Sequence, residues 1–221
     1  MNDKEFIQEL VEKAKVAQEE LANYTQEEVN AIIKVIAKTV YDNAEELAKM
    51  AVEETRMGVY EDKVAKNKGK SKTIYNHIID KKSVGIIDRD DAKGLVFVAK
   101  PVGVVAAVTP TTNPIVTPMC NSMFALKGGN PIIIAPHPRS QKSSTYTVDL
   151  ILKAMKDQGV KCPENAIQII SESTIARTGE LMRAVDVVLA TGGMGVVKEA
   201  YSSGKPSFGV GAGNVQVIVD E

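Results

Sequence analysis

Apolar positions along the chain follow two rhythms. Phe6, Ile7, Leu10, Val11, Ala14, Ala17 and Leu21 recur at three- and four-residue steps, which puts them on one face of a helix. Thr25 stands three residues before Glu28, the spacing of a capping box. Val29, Ile32, Ile33, Ile36, Ala37 and Val40 form the next stripe. Asn43 and Glu46 repeat the capping spacing and predict a third helix carrying Leu47, Met50, Ala51 and Val52. Residues 1–80 thus read as a helical leader.

The rhythm changes near residue 83. Val84 to Ile87 and Leu95 to Val98 are short β-prone runs on either side of the polar stretch DRDDAKG, and they predict an extended hairpin over 83–99. Beyond residue 100, apolar runs lie at 102–108, 131–135, 166–170, 185–190 and 215–219. Helical patterns lie between them at 115–127, 141–158, 174–183 and 194–202. Continuous Val/Ile runs suit strands covered on both faces. Their alternation with helices predicts an α/β fold with a parallel sheet and right-handed crossovers.

Charge adds little. The net charge is -1 and 25% of the 221 residues are charged, so the overall balance exerts no pull toward nucleic acid or an anionic membrane. Residues 63–82 hold seven lysines and one acid, Asp80. They read either as a phosphate- or nucleic-acid-binding face or as a solvated helix face interrupted at Gly69. No aromatic stacking ladder accompanies them. No apolar run approaches the roughly 20 residues that span a bilayer, and MNDKEFIQEL lacks the order of a secretory signal. Cys120 and Cys162 are far apart and outside any C-x-x-C spacing. A reducing cytoplasm is therefore the expected location. Two distant histidines offer little for a metal cluster.

In an open parallel sheet, ligands bind beyond the carboxyl ends of the strands. Four segments fall there: Thr109-Pro110-Thr111-Thr112-Asn113-Pro114, Pro136-His137-Pro138-Arg139-Ser140, Thr191-Gly192-Gly193-Met194-Gly195, and Gly209 to Asn214 leading into the last run. The Gly192-Gly193-x-Gly195 turn between strand and helix either admits a phosphate to the helix N-terminus or is simply a tight turn. It is not a G-x-G-x-x-G fingerprint. The Asn113 amide either donates to a developing oxyanion or caps a helix. His137, between two prolines, either meets a ribose or phosphate or is merely exposed. Cys120 reads as a buried thiol with no base beside it, and Cys162 as incidental.

The stretches KPVGVVAAVTPTTNPIVTPMCNSMFALKGGNPIIIAPHPRS and ATGGMGVVKEAYSSGKPSFGVGAGNVQVIVDE closely resemble the CoA-acylating branch of the aldehyde dehydrogenase superfamily. The likeness is nearest to the acylating succinate-semialdehyde dehydrogenases and the aldehyde dehydrogenase half of aldehyde-alcohol dehydrogenases. The resemblance covers essentially the whole chain. It implies one N-terminal cofactor-binding domain over 1–221, with a Rossmann-like core at 100–221 and helices on both faces of its sheet. It implies NAD or NADP as cofactor, coenzyme A as co-substrate, a small-molecule aldehyde, and a homo-oligomer at full length, with no nucleic acid or membrane partner. It assigns the cofactor to Val108, Thr109, Pro110, Thr111, Thr112, Asn113, His137, Gly193 and Gly211, and makes Asn113 the amide that holds a thiohemiacetal oxyanion.

Two departures from the hydrolytic aldehyde dehydrogenases follow from the same resemblance. Pro136-His137-Pro138-Arg139 stands where those enzymes have a ribose-binding lysine, and Gly209 where they have a water-activating glutamate. The nucleophilic cysteine and the catalytic domain are expected beyond Glu221, since neither Cys120 nor Cys162 matches the cysteine's place. The rival expectation is a catalytically inert binding fragment or half of a split enzyme. A third, unrelated nucleic-acid-binding protein rests on the 63–82 lysines alone.

Overall fold

The computed structural model describes residues 2–213 and 216–220. Four helices come first: α1 (Asp3–Leu21), α2 (Gln26–Asp42), α3 (Ala44–Thr55) and α4 (Tyr60–Ile78). Thr25 and Glu28 form the reciprocal capping box at the start of α2, and Asn2 with Glu5 does the same for α1. Asn43 departs from expectation. It makes no side-chain cap on α3 and instead donates Nδ2–H to the Thr39 carbonyl at 2.8 Å. It is the single residue between two helices, and its backbone (φ -104, ψ 20) lacks the extended form of a good cap. Gly69 does not interrupt α4, which runs unbroken through it. One glycine costs a helix only about 1 kcal/mol. The packing of α4, including the Asn67 amide on the Ala44 carbonyl at 3.1 Å, outweighs that.

Two short strands follow, β1 (Gly85–Asp90) and β2 (Leu95–Ala99), paired antiparallel with an irregularity between Ile86 and Asp88. Then comes the core: β3 (Val105–Thr109), α5 (Val116–Lys127), β4 (Ile132–Pro136), α6 (Gln141–Asp157), β5 (Ile167–Ile169), α7 (Ile175–Ala184), β6 (Val187–Thr191), α8 (Met194–Ser202) and β7 (Ser207–Val210). The five strands β3 to β7 form one parallel sheet in the order β5-β4-β3-β6-β7. β3 is central and entirely buried. One face of the sheet packs Val105, Ala107, Ile132 and Ile134 against α2, α5 and α6. The other packs Ala106, Val108, Ile133 and Val188 against α1, α7 and α8. Helices on both faces explain the continuous apolar runs.

The fifth strand is not the one expected. Val215 lies outside the described residues, and 216–220 form no strand. β7 instead uses Ser207–Val210, which sequence patterning assigns in part to a glycine-rich loop. Backbone pairing with β6 decides this: Leu189 opposes Phe208 and Ala190 opposes Gly209. Val217, Ile218 and Val219 are largely exposed, so apolar character alone does not place them in the sheet.

The amino ends of β3 and β6 are pinned together. Gly103 has φ +121. The Val102 and Gly103 N–H groups donate to Asn130 Oδ1 at 2.7 and 3.2 Å, and Val104 N–H donates to Asp186 Oδ2 at 2.8 Å. These bonds explain why residues 102–104 stay out of the strand that their apolar character predicts. Among the described residues, no helix is long and apolar enough to cross a membrane.

Candidate functional site

The chain leaves β3 toward β4 and β5 on one side, then returns to β6 and β7 on the other. This reversal opens a crevice beyond the carboxyl ends of β3 and β6, the usual ligand position in such sheets. All four candidate segments lie along this edge. His137 N–H donates to the Thr109 carbonyl at 3.0 Å, and Gly192 N–H donates to the Val210 carbonyl at 3.1 Å.

Val108 and Thr109 are buried at the end of β3, at 7% and 1% exposure. Thr109 Oγ1 has no hydrogen-bond partner. The same holds for Asn121 Nδ2, Ser122 Oγ and Thr145 Oγ1 among the described residues. Pro110 and Asn113 are half-buried, Thr111 is buried and Thr112 is exposed. Lys63 Nζ reaches the Thr112 carbonyl at 3.3 Å. Burial, with Lys66 nearby, lowers its pKa from the usual lysine value.

Asn113 does not cap α5. The residue preceding that helix is Ile115, which makes no side-chain cap. The Asn113 carbonyl accepts from Thr117 N–H at 3.3 Å, while its side-chain amide makes no hydrogen bond among the described residues. The free amide therefore stands at the positive end of an uncapped helix. There the helix field favours negative charge and the amide can donate to it.

The other helix N-termini on this edge differ in a telling way. α7 is capped by its own Thr174 hydroxyl, which accepts from Arg177 N–H. α6 has no cap from Ser140 and no acidic residue in its first turn. Its need is met by Glu54 of α3, whose carboxylate accepts from Lys142 N–H and Ser143 N–H, both at 2.8 Å, and from Ser143 Oγ–H. Patterning misses this contact because its partners stand 88 and 89 residues apart. The uncapped start of α6 is its one sequence signal.

α8 is left open. Gly193 precedes it with extended backbone and no side-chain cap, and a Cβ on Gly193 or Gly195 would meet nothing within 4 Å. Free N–H groups, a helix dipole and empty space there can receive an anion. Gly211 closes one side, where an added Cβ would lie 2.9 Å from Met194 Sδ. The open α8 N-terminus, next to the end of β3, offers a dinucleotide a place across β3 and β6. Asn214 lies outside the described residues.

His137 is exposed at the end of β4, and its Nδ1 accepts from Arg139 N–H at 3.1 Å. Nε2 therefore carries the proton in the neutral ring, as assigned from this bond. Partial burial, with Arg139 beside it, pushes the pKa below the usual histidine value. The imidazole is neutral near pH 7 and can hydrogen-bond a ribose or phosphate oxygen through Nε2–H.

Burial disfavours the thiolate form of both cysteines at neutral pH. Burial pushes the Cys120 thiol up to about 11 and the Cys162 thiol up to about 12. Both are expected to resist iodoacetamide at pH 8 in the folded chain and to react fully in denaturant; quantitative labelling of either in the native state would refute this. The linkage follows in sign. The unfolded thiol ionises near its ordinary value of 9.0, below the folded one. These thiols thus leave stability unchanged below that pH and subtract from it as pH rises from 9 toward 11. Among the described residues, no group of three His, Cys, Asp or Glu is placed to hold a metal.

The aldehyde dehydrogenase family model matches residues 1–220. The chain is 58% identical over 221 residues to the succinate-semialdehyde dehydrogenase (acetylating) of Clostridium kluyveri, covering 100% of this chain and 48% of that one. The acetylating aldehyde dehydrogenase structure from Geobacillus thermoglucosidasius superposes with TM-score 0.91 at 42% identity, over 96% of this chain and 47% of that one. Propionaldehyde dehydrogenase from Rhodopseudomonas palustris, solved with bound propionyl-CoA, superposes with TM-score 0.80 at 33% identity, over 94% and 46%. The chain spans about half the length of each of these relatives.

Proposed function

This chain belongs to the aldehyde dehydrogenase family, and from that premise we propose that it supplies the dinucleotide pocket and oxyanion amide of a CoA-acylating oxidoreductase. The reaction takes an aldehyde, CoA and NAD+ or NADP+ to an acyl-CoA, the reduced cofactor and a proton. The observation that carries this reading is the composition of the strand-end crevice. Thr109 to Asn113, His137 to Ser140, Thr191 to Gly195 and Ser207 to Gly213 contain hydroxyls, amides and glycines but no carboxylate. With no carboxylate in these four segments to activate water, an acyl group held as a thioester is left for a thiol to capture.

The residues have separate tasks. Gly193 and the first turn of α8 receive the pyrophosphate, and His137 takes the ribose. Val108, Thr109, Pro110, Thr111 and Thr112 line the nicotinamide side together with Gly211. The bound cofactor supplies the two-electron acceptor. The Asn113 amide donates to the oxygen that gains charge when a thiolate adds to the aldehyde carbon. The attacking cysteine, the cytoplasmic setting and the homo-oligomer belong to this proposal as well.

Calorimetry on the chain tests the pocket. NAD+ or NADP+ is expected to bind one per chain. Gly193→Asp is expected to weaken that binding about tenfold or more, which is ~1.4 kcal/mol, by placing a carboxylate at the open first turn of α8. Equal affinity in the two proteins would refute the assignment of Gly193. NADH absorbance with aldehyde, NAD+ and CoA then separates an active oxidoreductase from the second reading, an inert binding fragment or half of a split enzyme. That reading is favoured by the absence of a reactive thiol among the described residues.

A further inference from the structure

The peptide that carries Asn113 is held unequally on its two sides. Downstream, the Asn113 carbonyl accepts from Thr117 N–H at 3.3 Å, and the Pro114 carbonyl accepts from Ser144 Oγ–H at 3.0 Å. These bonds tie it to α5 and α6. Upstream, the chain leaves β3 at Thr109, and Pro110 has no N–H to give. Among the described residues, the backbone of 110–112 makes one hydrogen bond, from Lys63 Nζ to the Thr112 carbonyl at 3.3 Å. That donor comes from α4, 49 residues away in sequence.

Lys63 is shaped to reach this carbonyl. Gly58 has φ +80, and a Cβ there would lie 3.0 Å from Lys63 Cε, so the glycine leaves room for the lysine stem. The ammonium makes no ion pair among the described residues. Burial and the nearby Lys66 both oppose its charge. Nor does the helix call for it. Glu61 and Asp62 suit the positive end of α4, whereas a cation there opposes the dipole. What the position offers is the bond to Thr112.

We propose that Lys63 is a positioning residue for the proposed reaction, which fixes the Thr112–Asn113 peptide and so keeps the Asn113 amide aimed where oxygen charge develops. The inference rests on the oxyanion role given to Asn113 above. A peptide unit is planar, so holding the Thr112 carbonyl also sets the direction of the Asn113 N–Cα bond, from which the side chain departs. An oxyanion donor is effective when it is in place before charge develops, and a misplacement of about 1 Å can cost ~10²-fold in rate. Lys63 acts through Asn113, and no bond of the substrate is made or broken at it.

Two measurements test it. On the chain itself, NMR relaxation is read for the amides of Thr111, Thr112 and Asn113. Lys63→Met is expected to lower their order parameters by about 0.15 or more from the rigid range near ~0.85, with melting kept within about 2 °C. On an active protein containing this chain, Lys63→Met is expected to lower kcat roughly tenfold and to leave the KM for aldehyde within about twofold. In an Asn113→Ala background the same change is expected to cost less than about twofold, because the group it positions is gone. Lys63→Arg keeps a donor of similar reach and is expected to hold kcat within about threefold. The proposal is overturned by unchanged order parameters, by an unchanged kcat, or by Lys63→Arg losing as much as Lys63→Met. It is also overturned by an equal loss in both backgrounds. That result, joined to a KM rise confined to aldehydes with an anionic tail, would make Lys63 a substrate-binding cation instead. If the unmutated protein forms no acyl-CoA, the acyl-transfer reading fails, and the relaxation series still judges the hold on the peptide separately.

Discussion

Gly103→Ala is expected to lower the melting temperature of the chain by about 10 °C. Gly103 has φ +121, a region that L residues occupy at a cost of ~1–3 kcal/mol. The added Cβ would also fall 2.3 Å from Asp186 Oδ2 and 2.6 Å from Asp186 Cβ. Relieving that overlap moves Asp186 off the Val104 N–H, and overpacking of this kind costs a further ~1–3 kcal/mol. At ~2–4 °C per kcal/mol for a chain of this size, the sum predicts the stated loss. Gly204→Ala is the control, because φ is +78 there but nothing lies within 4 Å of the new atom. It isolates backbone strain and is expected to cost about 3 °C. Equal losses at the two positions would remove the Asp186 contact from the explanation.

Asn113→Ala has the largest expected effect on catalysis. Under the proposed acyl-transfer reaction, kcat of an active protein containing this chain is expected to fall ~10²–10³-fold, the usual loss on removing one oxyanion donor. Melting is expected to stay within about 2 °C, because the side-chain amide makes no hydrogen bond that holds the fold together. NAD+ affinity measured by calorimetry should fall far less than kcat, since Asn113 is only one of the residues assigned to the cofactor. A kcat within threefold of the unmutated protein, or a large melting loss, would recast Asn113 as structural. Asn113→Asp sharpens the comparison. It keeps the shape but replaces a donor with a negative charge where oxygen charge develops, so it should be at least as damaging as alanine.

Much of this architecture is readable from the chain, because burial is periodic. The stripe from Phe6 to Leu21 yields α1, and the Thr25–Glu28 spacing yields a real capping box. The runs at 131–135 and 185–190 sit within a residue or two of β4 and β6. What escapes is decided by partners distant in sequence. Glu54 reaches α6 from another helix, and no local pattern announces it. Asn43 has the right spacing for a cap but serves the helix behind it. β7 forms at Ser207–Val210 because that segment pairs with β6 and packs against α8. Within the candidate site, the turn glycines and Asn113 stand out by type and position. The open first turn of α8 does not, since it depends on what the three-dimensional neighbours leave free.

Glu54 gives the crevice a built-in decoy. β4 and β6, the two strands that flank β3, each lead to a helix whose first turn lacks a capping side chain of its own. Two vacant turns on one edge would offer a diphosphate two landing places, offset by the width of the strands between them. The carboxylate already bonded to Lys142 and Ser143 repels any second anion arriving there. Under the proposed dinucleotide site, the leader helices would thus fill one landing place with their own charge and leave only the turn beginning at Gly193 open.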